Sequence, residues 1–331
     1  MHAPDDKTRD VANAARSGQD PMKPNARENI PVLEPVSRQQ TLPDGSLRVF
    51  APAKLNLDLL VGPRRGDGFH PLDSIVVKIT LFDEILLRPT CDGQITLTCR
   101  HADCGPVEKN LACRAAKLLA TSAGISADVG AEIELTKRIP PGKGLGGGSS
   151  DAASVLAGLD ELWRLQTPPA RLGELAAELG SDVPVFLGPP AARMTGRGEV
   201  LGPAVVHGFA AVLHLPDFAC ATADVYRAFD SLADAGRPMI ERGEIDFADS
   251  PPSQWRGLLR NDLAPAAEAV CPELCRTMER IEAAVGAPVS LTGSGSAMFL
   301  LADSVDEAQA LARLLPPDLP GRCVIVRPSV F

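Results

Sequence analysis

Aromatic side chains are scarce in this sequence of 331 residues, since Phe, Tyr and Trp together make up 4% and Tyr226 is the single tyrosine. Long apolar runs are also missing, because none approaches the ~20 residues that a membrane-spanning helix needs. The N-terminal stretch has no apolar core of the signal-peptide type. We therefore expect a soluble, cytoplasmic protein that has no membrane partner.

An excess of basic residues is absent as well. Lys and Arg number 33 against 42 Asp and Glu, which gives a formal net charge of −9. This balance argues against nucleic acid or an anionic membrane as the main partner, although a locally basic pocket can still hold an acidic ligand. Hydrophobic residues at 45% and charged residues at 23% are typical of a globular protein with a core, built as one large domain or two.

Metal-ligand spacing is not found among the eight cysteines. Cys271 and Cys275 form the only close pair, and no histidine lies at a distance that supports a zinc site. We expect reduced thiols and no metal site made by protein ligands. Residues 1–45 have little periodicity and are rich in Pro, Asn, Gln and mixed charge, so we expect a disordered extension without chemistry.

Hydrophobic periodicity predicts alternating strands and helices along the rest of the chain. The predicted strands cover 46–61 (with Pro52 at the start or in a bulge), 74–81, 84–88, 94–99, 131–136, 210–215, 289–292, 297–302 and 323–327. The predicted helices cover 110–122, 152–165, 169–179, 223–232, 265–285 (interrupted near Pro272) and 305–315. This succession indicates an α+β fold made of packed layers.

The densest motif is the glycine-rich stretch from Ile139 to Asp151, which has five glycines in seven positions. Without Cβ atoms the backbone can close around an anion, and the N-terminus of the following helix can point N–H groups at phosphate oxygens. Ser149, Ser150 and Asp151 suit an N-cap and first turn, and the serine hydroxyls could reach a phosphate or its metal. A phosphate-binding loop is the favoured interpretation.

Three alternatives compete with this interpretation of the loop. A dinucleotide fingerprint fits Gly142, Gly144 and Gly147, but a second helical segment follows where that fold needs a strand. A P-loop needs Ser or Thr after the lysine, and Lys143 is followed by Gly144. The plain alternative is a glycine turn before a capped helix, which the density of the run disfavours.

The loop PPGKGLGGGSSDAAS and the stretch GSGSAMF at 293–299 resemble the GHMP kinase superfamily. More narrowly, the chain resembles the branch of that superfamily that phosphorylates 4-diphosphocytidyl-2-C-methyl-D-erythritol. The narrower similarity is carried by PAKLNLDLLVGPRRGDGFHPLDSI from Pro52, GSDVPVF from Gly180, GRGEVL from Gly196, and the pair Asn261–Asp262. It extends from residue 46 to about residue 328.

The resemblance implies a two-lobed α+β GHMP kinase fold. Residues 46–205 would form a ribosomal protein S5 domain 2-like lobe with the phosphate loop, and residues 206–331 a ferredoxin-like α/β-plait lobe. The implied activity is ATP-dependent phosphorylation of the substrate's 2-hydroxyl in the non-mevalonate isoprenoid pathway, with Mg²⁺ bridging the ATP phosphates. The resemblance implies no nucleic-acid partner and is compatible with a monomer or a weak homodimer.

The resemblance also implies roles for single residues. Asp182 would be the general base, and Lys54 would keep it ionised and stabilise the transferring phosphoryl group. Taken alone, these residues read as a helix N-cap and a solvated strand lysine. Asn110 would approach the adenine, although Lys109 replaces the more usual acid before it. The remaining implied ATP-binding residues are Pro140, Pro141, Gly142, Lys143, Gly144, Leu145, Gly146, Gly147, Gly148, Ser149 and Ser150.

For the acceptor, the resemblance implies that Phe69 stacks on the cytosine, that His70 hydrogen-bonds it and that Tyr226 forms the opposite wall. The other implied substrate residues are Asn56, Thr222 and Gly293. Many relatives have Tyr where this chain has Phe69, and Asn where it has Asp151. The alternative for Tyr226 is a core aromatic residue of a helix.

Two rival functions remain open at this stage. One is another GHMP kinase acting on homoserine or mevalonate, which would have no use for Phe69, His70 and Tyr226 in one place. The other is a catalytically silent nucleotide-binding protein. The presence of both Lys54 and Asp182 argues against this function.

Overall fold

Two long antiparallel strands form the centre of the N-terminal lobe in the computed structural model, which describes residues 30–101, 104–232 and 245–331. They are β2 (Leu47–Val61) and β3 (Leu72–Thr90). Their register shifts between Pro52 and Ala53, and β2 begins at Leu47, so of the two predicted positions of this proline the structure has the bulge and not the start of the strand. The two strands predicted over 74–81 and 84–88 are one, because pairing with β2 continues through Phe82 and Asp83 between them.

A seven-stranded sheet surrounds this pair. Its strand order is β1-β2-β3-β5-β4, and β6 pairs with β3 while β7 pairs with β6. Only β4 and β5 run parallel; the other pairs are antiparallel. The remaining strands are β1 (Gln39–Thr41), β4 (Ile95–Arg100), β5 (Gly130–Thr136), β6 (Ala191–Gly196) and β7 (Val200–Pro203).

Four helices belong to this lobe: α1 (Leu111–Ala123), α2 (Gly147–Leu162), α3 (Pro169–Leu179) and α4 (Val183–Leu187). A short 3-10 turn, Val107–Lys109, precedes α1. Helix α2 lies close to the sheet because Gly158 has no side chain, and a Cβ there would stand 2.6 Å from Leu87 Cδ1. The helix that follows the glycine loop is thereby fixed against β2 and β3.

The C-terminal lobe contains a four-stranded antiparallel sheet of order β11-β8-β10-β9. Its strands are β8 (Ala210–Leu215), β9 (Ser290–Leu291), β10 (Met298–Ala302) and β11 (Arg322–Val326). Its helices are α5 (Thr222–Leu232), α6 (Pro252–Trp255), α7 (Ala264–Val270), α8 (Pro272–Val285) and α9 (Val305–Leu314). The β-α-β-β-α-β succession is that of the predicted α/β plait, and the predicted helix interruption at Pro272 is confirmed.

The structure corrects the prediction that the whole of residues 1–45 is a disordered extension. Residues 30–45 are not disordered, because β1 pairs with β2 and the segment before it joins the C-terminal sheet. Leu33 donates to the carbonyl of Ile325 (2.8 Å), and Ile325 donates to the carbonyl of Pro31 (2.8 Å). The first 29 residues of the predicted extension lie outside the described residues.

The thiol prediction also needs a correction. Cys99, the next-to-last residue of β4, is bonded to Cys104 in a disulfide, and their Cα–Cα distance of 6.3 Å is within the range that a disulfide spans. Cys91, Cys113, Cys220, Cys271, Cys275 and Cys323 are free thiols, as predicted. Within the described ranges, no helix has both the length and the apolar character needed to cross a membrane.

Candidate active site

The glycine loop is held in a conformation that side chains rarely adopt. Gly142, Gly144 and Gly146 have φ values of +68°, +75° and +71°. A Cβ on Gly144 would stand 2.2 Å from the carbonyl oxygen of Thr292, and one on Gly146 would stand 2.8 Å from Phe186. The loop is therefore pressed directly against the backbone of the C-terminal glycine motif, where a side chain would force the two apart.

The helix after the loop begins earlier than predicted. Its N-cap is Gly146, and α2 starts at Gly147 instead of residue 152, without a side-chain capping bond. Capping by Ser149, Ser150 or Asp151 is thus wrong, because the tight glycine backbone carries the helix into the loop. The first backbone N–H groups of α2 have no partner within the helix, which leaves them available to an anion in the adjoining cavity.

This packing gives a first testable prediction. Gly144→Ala should raise the KM for ATP by roughly tenfold or more, because the new methyl group collides with the backbone at Thr292 and moves the loop. Gly173→Ala on α3 is the matched control, since a Cβ there meets no atom within 4 Å. Initial rates against ATP concentration measure both. An unchanged KM for Gly144→Ala would show that the loop does not hold ATP.

A buried charge cluster lies behind the loop. Lys137 donates from Nζ to Asp83 and to Asp151 (2.7 Å), and Asp83 accepts from the backbone N–H of Ile139 (2.8 Å). Burial raises the pKa of Asp151 to about 8, and the Lys137 charge opposes this rise. Asp151, the fifth residue of α2, therefore anchors the N-terminal part of this helix to the end of β5, a structural role and not the predicted cap.

Lys54 lies on β2 with 5% of its surface exposed. Its backbone N–H donates to the carbonyl of Leu145 in the loop (3.0 Å), and its Nζ donates to Asn56 Oδ1. Asn56 donates in turn from Nδ2 to Ser74 Oγ (2.7 Å). Asn56 thus holds the lysine in place, and its predicted contact with substrate stays a prediction.

Asp182 precedes the first residue of α4 and lines the same cavity as Lys54. Its side chain makes no capping hydrogen bond, so the alternative of a simple N-cap finds no support in the geometry. Burial lowers the pKa of Lys54, and the negative charge of Asp182 opposes this effect. The charges of the two groups therefore interact within one cavity.

The histidine of the GDGFH stretch is buried and fully engaged. His70 Nδ1 lies 2.9 Å from the Gly62 carbonyl oxygen, and Nε2 lies 3.1 Å from Asp230 Oδ1. Its ring packs against Tyr226, with centroids 5.4 Å apart, and edge-on against Phe229. Both ring nitrogens already have protein partners. A ligand would therefore meet the main-chain N–H and carbonyl groups of His70 and not its imidazole.

The end of the cavity that is lined by Phe69, His70 and Tyr226 adjoins Lys54 and Asp182. Burial raises the pKa of Tyr226 to about 12, and the charge of Asp182 adds to the rise. Phe69 is 48% exposed, and the guanidinium carbon of Arg197 lies 4.8 Å from its ring centroid. Arg64 lines this end as well. Arg64 and Arg197 lie in the stretches PRRGDGFH and GRGEVL that carry the resemblance, but residue type alone does not separate them from solvated arginines.

Gly293 connects the two glycine motifs. It has a φ of +58°, and a Cβ on it would stand 3.0 Å from the carbonyl oxygen of Gly144. Its own carbonyl accepts a hydrogen bond from Asn261 Nδ2 (2.8 Å). Asn261, the first residue of the predicted Asn261–Asp262 pair, therefore fixes the C-terminal glycine motif. Thr222 and Ser294 share a hydrogen bond of 2.9 Å between their hydroxyl groups at the cavity wall.

Three predicted ATP-binding residues have side chains that are engaged or buried away from the cavity, and the buried Ser150 hydroxyl has no hydrogen-bond partner among the described residues. Asn110 caps α1 by accepting from the N–H of Ala112 (2.9 Å) and does not line the cavity. Ser150 is fully buried and likewise lies off the cavity wall. Lys143 donates from Nζ to the carbonyl of Phe218, and burial lowers its pKa. Their roles in binding ATP stay predictions.

Most of the groups described above surround one cavity of about 700 Å³, a size typical of small-ligand sites. Its walls bring together the glycine loop, the Lys54–Asp182 pair and the aromatic end. Most predicted site residues line it: Lys54, Asn56, Phe69, His70, Pro140, Pro141, Gly142, Lys143, Gly144, Leu145, Gly146, Gly147, Gly148, Ser149, Asp182, Thr222, Tyr226 and Gly293. Among the described residues, no group of three or more His, Cys, Asp or Glu could hold a metal ion.

Comparison with known proteins agrees with this geometry. The GHMP kinases N terminal domain matches residues 110–188, which include the glycine loop and Asp182. A 4-diphosphocytidyl-2-C-methyl-D-erythritol kinase of Thermobifida fusca (strain YX) is 42% identical over 284 residues, which cover 82% of this chain and 91% of the relative. The corresponding enzyme of Mycolicibacterium gilvum (strain PYR-GCK) is 41% identical, with 81% and 85% covered.

Solved structures give the same result. A crystal structure of 4-(cytidine 5'-diphospho)-2C-methyl-D-erythritol kinase has a TM-score of 0.66 at 34% identity and covers 85% of this chain and 98% of its own. The homoserine kinase of Cytophaga hutchinsonii ATCC 33406 has a TM-score of 0.62 at 19% identity, covering 88% and 97%, and shares the fold alone. The predicted two-lobed GHMP kinase fold is confirmed. With relatives this similar over most of its length, the chain belongs to the 4-diphosphocytidyl-2-C-methyl-D-erythritol kinase family of GHMP kinases.

Proposed function

We propose that this protein transfers the γ-phosphoryl group of ATP to the 2-hydroxyl of 4-diphosphocytidyl-2-C-methyl-D-erythritol, a step of the non-mevalonate isoprenoid pathway. The observation that carries the proposal is the single cavity with a glycine loop, a Lys54–Asp182 pair and an aromatic end on its walls. A cytidine-bearing acceptor and a nucleotide triphosphate need those three features together.

The triphosphate is held by the glycine loop. Gly147, Gly148 and Ser149 form the first turn of α2, whose unpaired N–H groups and dipole attract phosphate oxygens. The Lys137 ammonium is close behind, since a Cβ on Gly147 would be 3.3 Å from its Nζ. The adenine end adjoins Leu111, the first residue of α1.

Asp182 acts as the general base. It takes the proton of the acceptor hydroxyl as the oxygen attacks the γ-phosphorus and the bond to the β-phosphate oxygen breaks. Lys54 supplies positive charge where negative charge develops on the transferring group. Its position is fixed by Asn56, so little reorganisation is needed during the reaction.

Magnesium fits this site as an ion carried by the nucleotide. Mg²⁺ commonly binds through one or two protein oxygens, water and substrate phosphates, and does not need a dedicated protein cage. The hydroxyl of Ser149, in the first turn of α2, is an oxygen donor on the cavity wall that suits it. When bound, the ion would neutralise charge on the β- and γ-phosphates.

The cytosine lies between Phe69 and Tyr226. Stacking on these rings is compatible with Phe at position 69, where a phenolic hydroxyl is not required. Since the imidazole of His70 is engaged with Gly62 and Asp230, the edge of the cytosine meets the main-chain N–H and carbonyl of His70, which have no hydrogen bond within the described residues.

The diphosphate of the acceptor is placed among arginines. Arg64, Arg197 and Arg227 line the aromatic end of the cavity, although the chain as a whole carries a net charge of −9. Guanidinium groups match phosphate oxygens in geometry and charge. Each of the three is paired with a carboxylate here, Asp230, Glu199 and Asp224 respectively. A diphosphate ester offers these guanidinium groups a further anionic partner, which an uncharged acceptor does not.

A second testable prediction concerns the cytosine wall. Tyr226→Ala should raise the acceptor's dissociation constant up to about tenfold, since an aromatic pair contributes ~0.5–1.5 kcal/mol beyond area burial. Tyr226→Phe keeps the ring and should bind the acceptor about as well as the wild type. The dissociation constant of ATP should not change. Equal weakening of both ligands by Tyr226→Ala would assign this tyrosine to the core alone.

Initial rates with three acceptors test the proposed function. The diphosphocytidyl acceptor should be used roughly 10²-fold or more better, in kcat/KM, than homoserine or mevalonate. Preference for either of the latter would favour the rival GHMP kinase function, and the absence of ATP turnover with all three would favour a silent nucleotide-binding protein. Since both reactants are water-soluble, we place the reaction in the cytoplasm and expect a monomer or a weak homodimer.

A further inference from the structure

A buried lysine outside the cavity contacts the short helix that follows Asp182. Lys78 lies in the middle of β3 with 1% of its surface exposed. Its Nζ donates to the carbonyl oxygens of Gly188 (2.7 Å) and Phe186 (3.2 Å), and its backbone N–H donates to the carbonyl of Pro190 (2.8 Å). No carboxylate of the described chain pairs with it. An aliphatic side chain would fill this place without the cost of burying an ammonium group.

The carbonyls that Lys78 binds belong to the C-terminal end of α4. This helix has only five residues, Val183–Leu187, and is about 7–8 Å long. A helix of this length has no stability of its own and depends on contacts at its ends. A donor at its C-terminus satisfies carbonyl groups that the helix leaves unpaired, and a cation there also matches the helix dipole.

Asp182 is at the opposite end of the same helix. Its side chain makes no capping bond, so its carboxylate is placed by the backbone of α4. Pro184 restricts that backbone directly after the first helical residue, so a movement of the C-terminal end is passed to the N-terminal end. The place of the carboxylate in the cavity therefore depends on the anchor at Phe186 and Gly188.

We propose that Lys78 is a positioning residue for phosphoryl transfer, which holds α4 so that Asp182 meets the acceptor hydroxyl. This rests on the proposed role of Asp182 as the base. Burial lowers the pKa of Lys78 to about 7, and the positive charge of Arg38 lowers it further. The neutral amine still has two N–H donors, so both hydrogen bonds to α4 can form in either protonation state.

Lys78→Met tests the proposal, because it keeps the length of the side chain and removes its donors. We expect kcat to fall about tenfold to a hundredfold, since a base displaced by about 1 Å loses this much, while the KM values for ATP and acceptor stay within twofold. Lys78→Gln, whose amide can donate to a carbonyl, should recover a large part of kcat. Thr80→Val is the matched control. Thr80 lies on β3, as Lys78 does, and the substitution removes a buried hydrogen bond from the backbone N–H of Arg327 that does not involve α4.

A double-mutant cycle separates positioning from stability. In the Asp182→Asn background, Lys78→Met should lower kcat no further, because the effect runs through the missing carboxylate. Rates are taken per folded molecule, with thermal unfolding as the measure of folding. A wild-type kcat in Lys78→Met, or equal losses in both backgrounds, overturns the proposal. Full activity of Asp182→Asn alone instead overturns the proposed role of the base.

Discussion

Asp182→Asn is expected to lower kcat by ~10²–10⁴-fold while the dissociation constant of ATP stays within about twofold. The substitution keeps the size of the side chain and its hydrogen bonding, but removes the proton acceptor. Asp182 lines the cavity beside Lys54, and its charge opposes the burial-driven fall in the pKa of that lysine. ATP binding should persist because the glycine loop is untouched.

Two measurements settle this prediction. Turnover with saturating ATP and acceptor gives kcat, and calorimetric titration with ATP gives the dissociation constant. Glu174→Gln is the control for charge alone, because Glu174 lies exposed on α3 and its one ion-pair partner among the described residues is Arg171. A near-normal kcat for Asp182→Asn would remove Asp182 from the mechanism even though the fold is right.

Lys54→Met should have the second largest effect, a loss of ~10²–10³-fold in kcat. A buried cation aimed at developing charge acts in a site of low dielectric, where removal of one such stabilising group costs this much. The 5% exposure of Lys54 and its bond to Asn56 meet these conditions. Steady-state kinetics on protein with a native circular dichroism spectrum measures the loss.

Stability must be followed in the same variant. Lys54→Met leaves the buried Oδ1 of Asn56 without its donor, which costs about 1–3 kcal/mol in the free energy of unfolding. Since Lys54 and Asp182 act as a unit, the double variant should lose less than the two effects combined. Strict additivity of the two losses would mean that the residues work independently.

Much of the fold could be predicted because it is encoded locally. Helix α3 has the predicted bounds, Pro169 to Leu179, since its apolar spacing and its proline at the start are independent of the rest of the chain. The strands and helices of the α/β plait also follow local periodicity. The glycine loop was recognisable because five glycines in seven positions are poorly suited to the interior of a strand or a helix.

Features that depend on distant partners could not be predicted. Residues 30–45 resemble a disordered segment in composition, yet Val32 forms a bridge with Ile325, almost 300 residues away. The first turn of α2 lies inside the glycine run, where glycine's low helix propensity predicts a loop. Asp151 reads as a cap in the sequence, and only the fold brings Lys137 to it.

The residues of the candidate site also fall into those that local sequence predicts and those that depend on distant partners. Lys54, Asp182 and the glycines are in short motifs, so the sequence was sufficient to select them. The pairing of His70 with Asp230 depends on how α5 of one lobe packs against the other lobe, for which the sequence has no pattern. In the sequence, Lys78 looks like an ordinary strand lysine. Its proposed role is visible only in the fold, where its side chain is buried and donates to the end of α4.

The site of phosphorylation in the product tests the proposed function most directly. The full chain is incubated with ATP and 4-diphosphocytidyl-2-C-methyl-D-erythritol, and the product is isolated and examined by phosphorus and carbon NMR. We predict one new phosphate monoester on the 2-oxygen, formed at a rate that falls in Asp182→Asn. A phosphate on another oxygen, or no transfer from ATP to this acceptor, would contradict the proposed function.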